Sequence, residues 1–252
     1  MASRPIDVAV AVVGLPLAAP VCLVAAAGIW LSDGRPLFYK SLRVGLGGRL
    51  FTMYKFRTMR SVSDGDRITG ARDHRVFPFG RLLRRWKVDE LPQLFNVIRG
   101  DMAIVGPRPE DPAIVDTCYG PLARETLTVR PGLASPGSIY NFTHGEDQLD
   151  SVEVERAYIS RLLPRKLAFD LAYVRQASWL YDTRIVGRAA AVILARGCGR
   201  RRFPEPVELS RTRQLELEMA REIRRIDIAR RPIHAGGRTL DDSAERVAAA
   251  TW

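Results

Sequence analysis

Cysteine is scarce in this chain: only Cys22, Cys118 and Cys198 occur, and no two of them form a C-x-x-C pair. An odd number of widely separated cysteines argues against a disulfide framework or a zinc site, and it fits a reducing compartment. Histidine is as rare, and we interpret His74 and His144 as surface or loop residues. The sequence therefore points away from metal chemistry that depends on thiolates or imidazoles.

Lysine is also uncommon: only four of the 39 basic residues are Lys, so Arg carries almost all of the net charge of +11. Arg guanidinium groups match the oxygens of phosphates and carboxylates. A GC-rich genome would produce the same composition, and both explanations stay open. The aromatic residues are not interleaved with the cations, and no nucleic-acid reader motif occurs. We therefore expect an anionic substrate or membrane surface, and no nucleic acid.

Charged residues are absent from Val8 to Leu31. As a straight helix this segment would extend about 36 Å, more than a hydrocarbon core of about 30 Å. A cleavable signal peptide is disfavoured because no small-x-small cleavage site lies within Trp30–Gly34. The segment is therefore predicted to be a membrane anchor.

Pro16 and Pro20 lie near the middle of this anchor, where each removes a backbone hydrogen bond and bends a helix. Arg4 precedes the anchor and several basic residues follow it, so a spanning helix would place positive charge on both sides of the membrane. We therefore favour a re-entrant helix hairpin, which enters and leaves by the same face. A simple spanning helix remains the alternative.

The remainder is predicted to be α+β and mostly helical. Pro36–Lys40 and Leu50–Met59 are predicted to form the two strands of a short β-hairpin with a glycine-rich turn, and Phe79–Lys87 has helical spacing. We divide the chain into an anchor (1–34), a small catalytic domain with interfacial helices (35–196) and a basic C-terminal extension (197–252). This extension has an apolar stripe with helical spacing, Leu215, Met219, Ile223 and Ile226, which is predicted to lie along the membrane. A helix that binds a partner and a solvated extension are the alternatives.

Two adjacent carboxylates, Asp89 and Glu90, follow a basic segment and precede Pro107-Arg108-Pro109. Asp89 also has the position of a helix N-cap, with Pro92 in the first turn, so capping alone is an alternative to catalysis. Arg108 is held between two prolines and is therefore pre-oriented. An acid pair, phosphate-binding cations and a membrane anchor together indicate phosphate chemistry at a bilayer surface.

These motifs resemble the bacterial sugar transferases, the monotopic phosphoglycosyl transferases that begin the assembly of surface polysaccharides and glycoproteins. The resemblance covers residues 4–194. It rests on Arg4-x-x-Asp7, the apolar run with its prolines, Tyr54-Lys55-Phe56-Arg57-Thr58-Met59, Asp89-Glu90-Leu91-Pro92-Gln93-Leu94, Gly100-Asp101-Met102, Val105-Gly106-Pro107-Arg108-Pro109 and Val129-Arg130-Pro131-Gly132.

The resemblance implies transfer of a sugar-1-phosphate from a UDP-sugar to undecaprenyl phosphate, with release of UMP, at the cytoplasmic face of the bacterial inner membrane. It implies that Asp89 is the covalent nucleophile and that Glu90 helps to hold Mg²⁺. Substrate-binding roles are expected for Lys55, Arg57, Arg84, Pro107, Arg108 and Pro109. Roles at the membrane or lipid are expected for Arg4, Asp7, Pro16 and Pro20.

Two departures from the family pattern limit the prediction. Ala19-Pro20 stands where members commonly have Ser-Pro, and Leu133-Ala134-Ser135 follows Arg130-Pro131-Gly132 where many members have Thr-Gly-Trp. The sugar and the pathway are therefore left open, and a homodimer is allowed. The alternative function is a membrane-anchored scaffold or binding protein of the same fold without catalysis.

Overall fold

A computed structural model describes residues 4–60, 73–145, 154–206 and 208–230. Within these ranges the chain is mostly helical, as predicted, and it has two small sheets, of which only the β-hairpin was predicted. The helices are α1 (Arg4–Asp33), α2 (Pro78–Arg85), α3 (Gln93–Arg99), α4 (Pro112–Cys118), α5 (Pro121–Arg124), α6 (Pro136–Tyr140), α7 (Val154–Ala157), α8 (Leu163–Gln176), α9 (Trp179–Gly197) and α10 (Leu209–Arg230). The strands are β1 (Phe38–Val44), β2 (Leu50–Phe56), β3 (Ala103–Val105) and β4 (Gly132–Ala134).

The predicted β-hairpin is confirmed. Strands β1 and β2 pair antiparallel, from Phe38 opposite Phe56 to Val44 opposite Leu50. Gly47 and Gly48 adopt positive φ in the turn, which L-residues with a side chain adopt at a cost. The second sheet is a parallel pair, in which Ala103 of β3 lies opposite Gly132 of β4. This pair carries the backbone that leads into Pro107-Arg108-Pro109.

Helix α1 packs against the rest of the molecule along its whole length. Its buried residues share one face, namely Asp7, Ala11, Ala25 and Ile29. Ala11 contacts the cluster around Val97 of α3, whereas Ile29 joins the cluster around Phe77, just before α2. Between them Gly14 faces Leu94. The helix is therefore attached to the domain near both of its ends.

The opposite face of α1 is apolar and exposed, with Leu17 75% and Leu31 78% accessible. By length and composition, helix α1 is long and apolar enough to cross a membrane. The helix continues without interruption through Pro16 and Pro20, both of which lie on the exposed side. Helix α1 therefore lacks the break expected of a helix hairpin, and the re-entrant topology stays a prediction.

Helix α10 packs against α8 and contributes to the largest hydrophobic core. Met219 is fully buried there and Ile223 nearly so, and Leu215 packs against the same cluster. The Glu222 carboxylate accepts a hydrogen bond from the Leu122 backbone N–H at 3.1 Å, at the start of α5. The prediction that this stripe lies on the membrane is therefore wrong, because the apolar face is already covered by protein.

Candidate active site

The two adjacent carboxylates lie in a tight 3-10 turn, Val88–Glu90, that precedes α3. Lys87 opens this turn in the left-handed conformation, with φ of 56° and ψ of 19°. No other described residue except glycine has a positive φ. Backbone strain of this kind persists only where the surroundings enforce it, and it concentrates at functional sites.

Asp89 does not cap a helix, so the capping interpretation is wrong. Helix α3 begins at Gln93, and the position before it is taken by Pro92, whose φ of −60° suits a helix start. The Asp89 side chain is buried, and its Oδ1 atom accepts no hydrogen bond. An unpartnered carboxylate oxygen in the interior is costly, which favours a role in binding or reaction.

Glu90 is surrounded by cations. The Arg108 guanidinium donates two hydrogen bonds to its carboxylate, at 2.6 Å from Nη2 and 3.0 Å from Nη1. Lys87 Nζ donates at 3.1 Å, and Lys55 Nζ lies 3.7 Å away. The structure thus brings together Asp89, Glu90, Lys55 and Arg108, four of the residues singled out from the sequence.

The pKa values of the two carboxyls shift in opposite directions. Burial raises the pKa of Asp89, and the neighbouring Glu90 charge raises it further. Burial also opposes ionisation of Glu90, but Arg108, Lys87 and Lys55 outweigh it and hold its pKa well below the usual range. Burial and the nearby Arg108 charge lower the pKa of Lys55 to about 7. The surrounding cations therefore favour the ionised form of Glu90 more strongly than that of Asp89.

Arg108 is positioned by the parallel strand pair and by helix α8. The N–H of Gly132 donates to the Pro107 carbonyl at 2.9 Å, and Pro107 and Pro109 are both buried. The Asp170 carboxylate accepts from the Arg108 N–H at 3.4 Å and from the Gly137 N–H at 3.0 Å. Nothing in the sequence singled out Asp170, because its contacts join segments that lie far apart in the chain.

The Arg84 guanidinium lies close enough to Asp89 to favour the ionised form of that carboxyl. Arg84 Nε donates a hydrogen bond to Thr58 Oγ1 at 2.8 Å. Arg57, by contrast, is not brought to the acid pair. Its guanidinium donates to the Asp33 carboxylate at 2.7 Å and to the Pro36 carbonyl at 2.6 Å. The substrate-binding role expected of Arg57 therefore stays a prediction, which its contacts here do not support. Strand β2 ends at Phe56, so Arg57 does not share the face of Lys55.

The expected membrane residues Arg4 and Asp7 contact protein at the start of α1. The Arg4 guanidinium occupies the space that a side chain on Gly100 would need. The Asp7 carboxylate accepts from the Ile104 N–H at 3.2 Å. These contacts fix the start of the anchor beside β3.

Gln93, one turn beyond Asp89, was missed as a site residue. It is completely buried, and neither its amide nitrogen nor its amide oxygen has a hydrogen-bond partner. Asn96, one turn further, is equally buried but fully engaged: its amide donates to the Thr52 carbonyl at 2.7 Å and accepts from the Tyr54 N–H at 3.1 Å. The contrast could not be read from sequence, since both are amides on the same helix.

A cavity of about 200 Å³ adjoins Glu90 of the acid pair. Three charged residues, Lys87, Glu90 and Arg108, stand at one part of its wall. The remaining lining is apolar except for Ser138, and it consists of Leu91, Leu94, Leu133, Ala134, Ile139, Phe142, Ala189, Val192 and Ile193.

Comparison with known proteins identifies the family. Residues 1–196 match the bacterial sugar transferase family. The chain is 37% identical over 194 residues to a UDP-glucose:undecaprenyl-phosphate glucose-1-phosphate transferase of Xanthomonas campestris pv. campestris, a match covering 75% of this chain and 38% of that protein. It is 34% identical to a UDP-N-acetylgalactosamine-undecaprenyl-phosphate N-acetylgalactosaminephosphotransferase of Aeromonas hydrophila, covering 76% and 43%.

The chain thus spans less than half the length of these two relatives. It is also 34% identical to an exopolysaccharide production protein of Sinorhizobium fredii, covering 78% of this chain and 88% of that protein. The family match extends over most of the chain and includes every motif of the site. This chain belongs to the bacterial sugar transferase family.

Proposed function

We propose that this protein transfers a sugar-1-phosphate from a UDP-sugar to a polyprenyl phosphate and releases UMP. The observation that carries the proposal is the buried Asp89 carboxylate, which has an unpartnered oxygen and stands next to an ionised Glu90 ringed by cations. The names of the relatives support the same reaction class, and they differ in the sugar.

In the first step an Asp89 oxygen attacks the β-phosphorus of the UDP-sugar. The bond from that phosphorus to the bridging oxygen breaks, and UMP leaves with the electron pair. In the second step an oxygen of the lipid phosphate attacks the same phosphorus, and the Asp89 carboxylate is the leaving group. Splitting the transfer in this way suits two substrates that reside in different phases, because each can be present without the other.

The cations supply the electrostatic part of catalysis. Phosphoryl transfer depends mainly on positioning and charge stabilisation, and Lys55, Lys87 and Arg108 all lie within hydrogen-bond or ion-pair distance of Glu90. A diphosphate that enters the site would replace Glu90 as the partner of these cations. Arg108, already aimed by its two prolines and Asp170, is proposed to bind a phosphate oxygen.

Magnesium is proposed as the cofactor. The described residues contain no cluster of three or more His, Cys, Asp or Glu side chains. Mg²⁺ commonly binds proteins through one or two carboxylates and takes its other ligands from substrate phosphates and water. Asp89 Oδ1, which has no partner, and Glu90 are the residues that would hold it. When bound, Mg²⁺ would neutralise charge on the diphosphate.

We propose that α1 enters the cytoplasmic face of the membrane without crossing it. Contacts near both of its ends tie it to the catalytic domain, at Ile104 and at Arg57. A helix fixed in this way cannot cross the bilayer unless it draws charged protein surface into lipid, which is costly. The exposed apolar face of α1 supports immersion in one leaflet.

The proposal is tested by Asp89→Asn in membranes or lipid nanodiscs. With a UDP-sugar donor, intact mass spectrometry should detect a phosphosugar adduct on the wild type and none on the variant. UMP release should fall by at least about 10³-fold, since the nucleophile is removed. Ordinary turnover by a folded Asp89→Asn protein would refute the nucleophile. Absence of UMP release by the wild type, across a panel of UDP-sugars, would favour the scaffold alternative.

A further inference from the structure

The cavity beside the acid pair combines a charged end with apolar walls. Lys87, Glu90 and Arg108 stand at the charged end, and the rest is formed by side chains of α3, β4, α6 and α9 together with Leu91 and Phe142. The ring of Phe142, which lines the cavity, has Lys87 Nζ 4.5 Å and the Arg196 guanidinium 4.4 Å from its centroid. The positive charges therefore lie on one side of the apolar cavity.

The apolar walls do not suit a nucleotide or a sugar. Away from the charged end, Ser138 is the one lining residue with a polar side chain. Its hydroxyl already donates to the Ser135 carbonyl at 2.9 Å and accepts from the Ser135 N–H at 2.8 Å. Uracil and sugar hydroxyls placed there would lose hydrogen bonds to water without replacement, which is unfavourable.

The cavity is also next to the membrane anchor. Leu94 lines it and in addition faces Gly14 of α1, where an added Cβ atom would lie 3.8 Å from the Leu94 side chain. On the other side the cavity is covered by α9, whose outer surface exposes Trp179 and Leu194. An apolar chain leaving the cavity would therefore meet apolar surface and not open water.

We propose that this cavity binds the first isoprene units of the acceptor lipid, with the lipid phosphate at Lys87 and Arg108. The inference rests on the proposed function and assigns the acceptor a place within it. At about 200 Å³ the cavity is smaller than the about 300–1,000 Å³ of sites that enclose a drug-sized ligand. It therefore holds only the part of the lipid next to the phosphate, and the remainder of the chain stays in the membrane.

The test separates the two half-reactions. Ala189→Phe fills the cavity, and Ala190→Phe places the same ring on the exposed side of α9 as the matched control. Release of UMP in a single turnover without acceptor reports on the donor, and steady-state turnover reports the KM for polyprenyl phosphate. We expect Ala189→Phe to raise that KM at least tenfold with an unchanged UMP burst. Ala190→Phe should match the wild type in both.

A second variant covers the case in which Ala189→Phe does not fold. Ile193→Gln keeps the volume of the wall but makes it polar, and it should also raise the KM for the lipid without slowing the burst. A lost burst with unchanged lipid KM would place the donor in the cavity and overturn the inference. A wild-type UMP burst together with a wild-type KM for the lipid would also overturn the inference. A wild type without any burst would instead count against the proposed function.

Discussion

Asp89 and Glu90 are neighbours in sequence, yet their carboxylates lie in different environments. Glu90 takes four contacts from three cations, which hold it ionised, whereas Asp89 is buried with one oxygen unpartnered. Burial that raises the pKa of a carboxyl also makes its anion a stronger nucleophile. The left-handed Lys87 supplies the tight turn that points the two side chains into different surroundings.

Substitution of Gln93 tests directly how much this site lowers the free energy of unfolding. A completely buried amide without partners costs about 1–3 kcal/mol, so replacing it with a side chain of similar shape should relieve that cost. We expect Gln93→Met to increase the free energy of unfolding by about 1 kcal/mol and to lower turnover. Urea unfolding and UMP release measure the two effects. A less stable variant would mean that the amide has partners in the folded protein.

Sequence motifs were sufficient to predict site residues that belong to a recognised motif or whose partners are close in the chain. Lys55, Glu90 and Arg108 converge because each motif carries one charged member of the cluster. Arg57 belongs to the same motif as Lys55, but its contact with Asp33 could not be read from the motif because the two residues are 24 positions apart. Asp170 was missed because an acid on a buried helix gives no local sign that two distant backbone N–H groups bind it.

Helix α10 shows the limit of pattern analysis for a whole helix. An apolar stripe with basic flanks fits a membrane surface and a protein core equally well, and only the tertiary partner decides. The β-hairpin was predictable because its strands and glycine-rich turn are contiguous. The packing of α10 against α8 joins residues about fifty positions apart, as in the ion pair of Arg165 with Glu216 at 2.9 Å.

The placement of α10 predicts that Met219→Ala destabilises the catalytic domain. Met219 has no accessible surface, so truncation leaves a cavity that should cost about 2–4 kcal/mol. Thermal unfolding measures this loss, and binding to anionic vesicles should stay unchanged. Reduced vesicle binding with unaltered stability would instead support the membrane position first predicted for the stripe.

Helix α8 carries a pH-dependent contact through Asp170. Burial raises the pKa of this carboxyl from 3.8 to about 6, so the folded protein binds a proton more tightly than the unfolded chain does. Its contribution to stability is therefore full below pH 4 and is lost as the pH rises through 6. Between pH 7 and pH 5 the wild type should gain about 1 kcal/mol relative to Asp170→Asn.

Urea unfolding of both proteins at the two pH values checks this difference. Glu125→Gln is the control, because Glu125 pairs with Arg175 at 2.9 Å on the surface and its side chain is 44% exposed. That control should follow the wild type at both pH values. A gap between wild type and Asp170→Asn that does not change with pH would contradict the raised pKa.

The apolar outer face of α1 predicts how the intact protein binds membranes. Leu17 is 75% exposed at the centre of that face, and a carboxylate there would have to enter lipid. We expect Leu17→Glu to weaken vesicle binding at least tenfold without lowering the stability of the catalytic domain. Leu217→Glu, at a 46% exposed position of α10, is the matched substitution and should bind as the wild type does. Equal binding by both variants would refute immersion of α1.

Attachment of α1 at Asp7 and at Asp33 has a consequence for the lipids the protein tolerates. A helix that crosses a bilayer must match its hydrocarbon thickness, and each ångström of mismatch carries an energetic cost. If α1 enters one leaflet only, as proposed, the far leaflet does not contact it. Such a protein would work alike in thin and thick membranes and would respond instead to the headgroups and packing on its own side.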